Sequence, residues 1–286
     1  MTDDPKNSLN EQPQGLSAQD QYRAQKQLPP AAAVLHETVR LLGEEELNRN
    51  LSALWWSALA AGLSMGFSLM TRGLLQAYLP AGGGFYLVEC AGYSVGFVIV
   101  ILARQQLFTE NTITAVLPLM SSVSWQKFGC LLRLWLVVML GNLVGVAIFA
   151  YGLGRMALFD PKVLHAFANI GEEVMHNSPS QMFTKGIMAG WLIAMMVWMN
   201  AAIRARLMVI ILMTYIISIG GFTHIIVGSA EVLFLVFQGH VSVGSYFLDF
   251  ALPTLAGNIV GGSLIFALIS HAQVRGDEQL NVEQEP

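Results

Sequence analysis

The sequence predicts an all-α membrane protein: six transmembrane helices arranged as two inverted three-helix repeats, with the second and fifth helices broken at mid-membrane. Three observations carry this. Of the 286 residues, 54% are hydrophobic and only 12% charged, whereas a soluble domain carries about 25% charged residues. Six apolar segments, near 51–78, 85–120, 129–152, 182–203, 207–237 and 246–271, each reach the ~20 residues that a bilayer span requires. Two motifs also recur in order. Phe108-Thr109 is followed by Gly141-Asn142-Leu143-Val144-Gly145, and Phe222-Thr223 by Gly257-Asn258-Ile259-Val260-Gly261, at offsets of 114 (108 to 222) and 116 (141 to 257).

A unit of three spans ends on the opposite side of the bilayer from where it began. The second copy is therefore upside down, and a pseudo-two-fold axis lies in the membrane plane. Repeat one covers about 51–152 and repeat two about 182–271, with Ala61-Gly62 matching Ala189-Gly190 in their first spans.

Residues 1–30 are rich in Gln, Asn, Asp and Ser and read as a disordered cytoplasmic tail. Residues 31–50 read as an interfacial amphipathic helix, with Val34, Leu35, Thr38, Val39 and Leu42 on one side and Arg40, Glu44, Glu45, Glu46 and Arg49 on the other. The six-span domain follows over 51–271. Because the first fifty residues are polar, the segment from Leu51 serves as its own insertion signal. The second segment is interrupted by the run from Arg104 to Asn111, and the fifth by the run from Ser218 to His224. Such backbone is tolerated at membrane depth only where protein buries it or a cavity wets it. Residues 272–286 form a second tail. Lys127, Arg204, Arg206 and Arg275 fall on the same side as Arg40 and Arg49; Asp160, Lys162, Glu172 and Glu173 fall on the other, as do Arg72 and Arg155. The basic excess places both termini in the cytoplasm.

Composition also excludes function classes. Cys90 and Cys130 form neither a disulfide framework nor a metal motif, and a net charge of −4 gives no basic surface for nucleic acid. No cofactor loop, metal-ligand cluster or nucleophile–base pair is visible, so an enzyme is not expected.

The chemistry concentrates at the two breaks. Half-helices begin near Asn111 and Ile225, and inversion aims both N-termini, with their unpaired N–H groups, at the membrane centre. Each such end supplies up to ~2 kcal/mol in a favourable geometry, whereas dehydrating a small anion costs tens of kcal/mol in the Born limit. An anion must therefore keep water or be neutralised in transit. His224, at the start of the second half-helix, is the candidate proton donor, with Thr109 and Thr223 as neighbouring pore hydroxyls. Glu110 occupies the matching slot in the first copy, where Arg104 is its candidate partner. Glu231, seven residues after His224, shares its helix face. Glu89 and Lys185 are also embedded charges; they pair, meet another subunit or line a vestibule. Leu107, Phe108, Phe222, Tyr93, Phe97 and Ile217 bracket the breaks as candidate gates or constrictions. Gly141, Gly145, Gly257 and Gly261 allow close helix approach, and Asn142 and Asn258 are placed to hydrogen-bond the broken backbone.

Leu107-Phe108-Thr109, Gly221-Phe222-Thr223-His224, Gly141 to Gly145 and Val197-Trp198-Met199 together resemble the formate/nitrite transporter family over about residues 31–271. The resemblance implies an aquaporin-like protomer in a homopentamer of a bacterial inner membrane, with one pore per protomer. It implies passage of small monovalent anions such as formate or nitrite past a mid-pore histidine. It also makes Leu107, Phe108 and Thr109 the gating loop, and Tyr93, Phe97 and Ile217 constriction residues. This chain departs from the family pattern with Thr223 in place of an acid, Glu110 in place of a small uncharged residue, and Gly190 and Gly228 in place of asparagine. Lys185 is the nearest lysine to the histidine. A pore for another small solute and a non-conducting pentameric scaffold or sensor are the competing readings.

Overall fold

Residues 30–80, 82–203 and 205–282 are described in a computed structural model of the chain. The expectations for the tail at 1–29, for Arg204 and for residues 283–286 lie outside them. All regular elements among the described residues are helices.

Helix α1 (Ala32–Leu47) buries Leu35, His36, Val39, Gly43 and Leu47. This is a narrower i, i+4 stripe than the sequence suggested: Val34 and Leu42 are exposed, and Thr38 and Leu42 face a cavity instead. On the outer side Arg40 bridges Glu37 and Glu44 at 2.6 Å each. The Arg40 hydrogen bond holds the Glu37 carboxyl below the usual carboxylate range.

The first span is α2 (Leu51–Tyr78), started by Asn50, whose side chain accepts from the Ser52 N–H. The second is built from α3 (Gly83–Ala91), α4 (Ser94–Leu102) and, beyond an irregular stretch, the short α5 (Asn111–Thr114) and α6 (Val116–Ser121). The third is α7 (Trp125–Arg155), capped by Ser124. Helix α8 (Pro161–Met175) then connects the repeats. Pro161 suits its first turn, where the missing N–H costs nothing, and an apolar face of Val163, Phe167 and Ile170 docks it on the bundle. The fourth span is α9 (Pro179–Ala202), opened by a Ser178/Gln181 capping box. The fifth is α10 (Arg206–Ile219) plus α11 (Ile225–Gln238). The sixth starts at α12 (Val243–Ser245) and runs through α13 (Leu252–Ile259) and α14 (Leu268–Val282), with π-helical stretches at Tyr246–Ala251 and Val260–Ala267. Helix α14 continues past residue 271, where the sequence suggested a tail.

Among the described residues, five continuous helical segments, Leu51–Tyr78, Gly84–Leu102, Trp125–Arg155, Pro179–Ala202 and Val243–Gly276, are each long and apolar enough to cross a membrane. The fifth span is not one of them because its break leaves two 14-residue helices, each about 21 Å long at 1.5 Å per residue. A bilayer core is about 30 Å thick, so only the pair together crosses it.

Small residues set the packing of α2 on α7 and of α9 on the sixth span. A Cβ on Gly145 would meet Leu59 and Gly62, and one on Gly261 would meet Ile187 and Trp191. The same close approach thus recurs in the two repeats. Gly145→Val or Gly261→Val should therefore destabilise by about 1–3 kcal/mol, read as a lower melting temperature in detergent; unchanged melting would mean the helices can separate freely.

Candidate functional site

The two breaks have the same backbone. In each, the helix ends on a residue in the left-handed region, Arg104 (φ 54°) and Gly221 (φ 57°). The next N–H reaches back five residues: Gln105 to the Val100 carbonyl (2.9 Å) and Phe222 to the Ile217 carbonyl (3.0 Å). Each break is then pinned by one asparagine. Asn142 accepts from the Phe108 N–H (2.9 Å) and donates to the Gln106 and Ala58 carbonyls. Asn258 accepts from the Ile225 N–H (2.9 Å) and donates to the Thr223 and Gly186 carbonyls.

This equivalence runs at an offset of 117 residues (104 to 221), not the 114 of the Phe-Thr recurrence (108 to 222). The structural counterpart of His224 is therefore Leu107, and Glu110 lies three residues beyond that slot. The matched Phe-Thr letters are out of register. What recurs physically is the left-handed turn and the asparagine hydrogen bonds.

His224 caps α11. Its Nδ1 faces the N–H groups of Ile226 (3.3 Å) and Val227 (3.4 Å), and its Nε2 lies 2.7 Å from Thr109 Oγ1. With two N–H groups donating to Nδ1, the ring proton resides on Nε2 and is donated to Thr109. The Thr109 hydroxyl hydrogen is then free for a further acceptor. Phe97 packs edge-on against the His224 ring (5.1 Å between centroids) and Tyr93 packs on Phe97 (5.5 Å).

Two cavities approach this point from opposite ends and share no lining residue. The Arg104 vestibule, about 500 Å³, is walled by Glu45, Glu46, Arg49, Arg104, Gln106, Leu107, Glu110 and Arg206 among others. The His224 vestibule, about 270 Å³, is walled by Arg72, Tyr93, Lys185, Ile217, Phe222, Thr223, His224 and Glu231 among others. Between them Phe97, Leu107, Thr109 and His224 are all at most 1% exposed, which closes the passage.

Tyr93, Ile217, Phe222 and His224 thus line one vestibule and Leu107 the other, with Thr109 and Phe97 against the His224 ring. Phe108 lines neither cavity; its ring packs on Trp135 of α7. The Thr223 hydroxyl donates to the Met182 carbonyl (2.8 Å), tying the break to α9. Glu110 and Arg104 share a vestibule but form no ion pair within 4.0 Å among the described residues, so the suggested pair is corrected. Arg104 is exposed in its left-handed turn, where water solvates it, while Glu110 sits half-buried against the start of α5. Glu231 also has a different neighbour, Arg72, at 3.9 Å. Arg72 was not singled out from the sequence as a site residue. It is buried, bonds Glu89 and Glu173 at 2.8 Å each, and resolves the placement of Glu89. Lys185 lines the His224 vestibule and donates to Asn177 (2.6 Å).

Residues 33–272 match the family model described as formate/nitrite transporter. Over 251 residues the chain is 54% identical to the inner membrane protein YfdC of Escherichia coli (strain K12), covering 87% of this chain and 81% of that one. Its fold is similar to a solved pentameric formate channel with formate bound (TM-score 0.69, 23% identity, 79% of this chain and 97% of that one). It is also similar to an FNT family ion channel (TM-score 0.70, 20% identity, 84% and 98%). With its broken second and fifth spans, paired asparagines and interrupted axial passage, the chain belongs to the formate/nitrite transporter family, as an integral membrane transport protein and not an enzyme.

Proposed function

We propose that the chain is a channel for small monovalent weak-acid anions of the formate or nitrite type, coupled to protons at mid-pore. The observation that carries this reading is the buried Thr109–His224 hydrogen bond, placed where the two vestibules meet. The donor order His224 Nε2–H to Thr109, and Thr109 O–H to substrate, presents a hydrogen-bond donor where an anion has lost its water. In the relay the anion takes the Thr109 hydroxyl proton, Thr109 takes the His224 Nε2 proton, and a proton from the vestibule replaces it at Nδ1 as that atom lets go of the Ile226 and Val227 N–H groups. The neutral acid so formed escapes the tens of kcal/mol that a bare anion faces in an apolar constriction. Arg49, Arg104 and Arg206 in the first vestibule offset Glu45, Glu46 and Glu110, so the formal charges of its wall balance and an anion is not repelled there.

The solved relative named as a pentameric formate channel supports a homopentamer, and the two vestibules within one chain support a pore in each protomer. The basic side of the sequence supports both termini in the cytoplasm of a bacterial inner membrane, with the Arg104 vestibule opening on that side and residues 31–50 at the interface.

The test is formate and nitrite flux into liposomes across a range of pH. Flux should rise as pH falls. His224→Asn, which can still cap α11 but cannot relay a proton, should lose that response. An unaltered pH response in this variant would sink the relay. Absence of flux for every anion, with the oligomer intact, would instead favour the scaffold reading.

A further inference from the structure

The His224 vestibule contains an unbalanced charge cluster. Arg72 is the only guanidinium lining it among the described residues, and three carboxylates gather on it. Glu89 and Glu173 take the direct bonds at 2.8 Å. Glu231 is left at 3.9 Å, 3% exposed, and its Oε1 has no hydrogen-bond partner among the described residues. Lys185, the other cation of the vestibule, is held by Asn177 Oδ1. A buried carboxylate that is ionised and unpaired is costly at any depth in a membrane, and two nearby acids already claim the arginine.

The placement of Glu231 sets it in line with His224. His224, Gly228 and Glu231 lie at i, i+4 and i+7 on α11 and all line the same cavity. Gly228 adds no side chain between them and the Phe250 ring packs against it, so Glu231 and His224, about 10 Å apart along the helix, reach one another through the cavity they both line. Charged or titratable groups surround the cluster on several elements. These are Arg72 from α2, Glu89 from α3, Tyr93 before α4, Glu173 from α8 and Lys185 from α9, with His224 on α11 itself. Tyr246 of the last span is bonded to Ser229, and α7 sets Tyr151 against Phe237 further along the helix.

We propose that Glu231 carries a proton and is the proton-loading site of the His224 vestibule, donating to a weak-acid anion before it enters the constriction. In the step, the O–H bond of the Glu231 carboxyl breaks and an O–H bond forms on the anion. The substrate leaves as a neutral acid, and the negative charge passes to Glu231, where Arg72 faces it. A proton from water in the vestibule restores the carboxyl. This rests on the proton-coupled reading above and adds the residue that supplies the proton on this side, a role that the neutral, doubly engaged His224 ring is poorly arranged to fill alone.

Two measurements on the full-length protein test it. The first is formate entry into liposomes as a function of pH on the His224-vestibule side. Wild type should quicken by up to about tenfold per pH unit, following proton activity. Glu231→Gln, nearly the same shape, should cut this to under about twofold, and Glu231→Asp should keep most of it. The second is the infrared carbonyl stretch of a protonated carboxylic acid at neutral pH, expected in wild type and missing in Glu231→Gln. This is read without any transport and therefore does not depend on the variant conducting. A wild-type pH slope in Glu231→Gln, or identical infrared spectra, overturns the loading site while leaving the His224 relay standing. A wild type whose flux ignores pH overturns the proton-coupled reading and the donor role together, even if the carboxylic band is present.

Discussion

Asn258→Leu, or Asn142→Leu, should abolish the folded oligomer or lower its melting temperature by more than any other single substitution at the breaks. Leucine has nearly the branched shape of asparagine, so the effect is dominated by lost hydrogen bonds. In the Asn258 variant the Ile225 N–H loses its acceptor and the Thr223 carbonyl loses its donor. In the Asn142 variant the same fate meets the Phe108 N–H and the Gln106 carbonyl. Each buried orphan costs about 1–3 kcal/mol, and there is no water at membrane depth to take over. Two orphans per break give a loss on the order of 2–6 kcal/mol, against a total stability of roughly 5–15 kcal/mol for a typical protein. The two variants should be affected alike, because both asparagines make the same bonds. Size-exclusion profiles and melting curves in detergent would show this; a near-normal melting curve for either variant would mean the break holds itself.

That pairing explains how much of the site was legible. The Gly-Asn-x-x-Gly motifs are visible because two constraints meet in five residues: glycines that must pass a neighbouring backbone, and an amide that must serve a broken one. The number of spans was legible from apolar length, and the breaks from polar residues inside it. The register was not. Phe108-Thr109 and Phe222-Thr223 match as letters, but the left-handed position is occupied by Arg104 in one copy and Gly221 in the other. A turn conformation can be met by different residues, so identity was a poor guide to equivalence. Arg104 there accepts a conformation usually left to glycine, at a cost of about 1–2 kcal/mol, which is consistent with a side chain retained for its charge in the vestibule.

Helix α8 could have been found from Asp160-Pro161 followed by the apolar spacing Val163, Phe167 and Ile170. The Arg72 cluster could not. Its members are 17, 101 and 159 residues apart in the chain (72 to 89, 173 and 231), and nothing local tells an embedded arginine which carboxylates the fold will bring to it. The π-helical stretches of the last span carry no local signal either.

Arg72→Met should be nearly as damaging as loss of an asparagine, by electrostatics instead of backbone. Methionine fills the same channel through the bundle but leaves Glu89 without its 2.8 Å partner, 6% exposed, and Glu231 without the guanidinium it faces. Removing one member of a buried ion pair costs about 3–5 kcal/mol, chiefly because the other charge stays behind. The diagnostic is therefore the double variant. Arg72→Met with Glu89→Gln removes the stranded charge, and more than about half of the lost melting temperature should return. Arg72→Lys should not substitute, since one ammonium cannot reproduce the fork by which Nε serves Glu89 while Nη2 serves Glu173. If the double variant were as unstable as the single one, the arginine would be holding α2 by its packing and not by its charge. Recovery would instead show that a cation is kept in this vestibule because the carboxylates are.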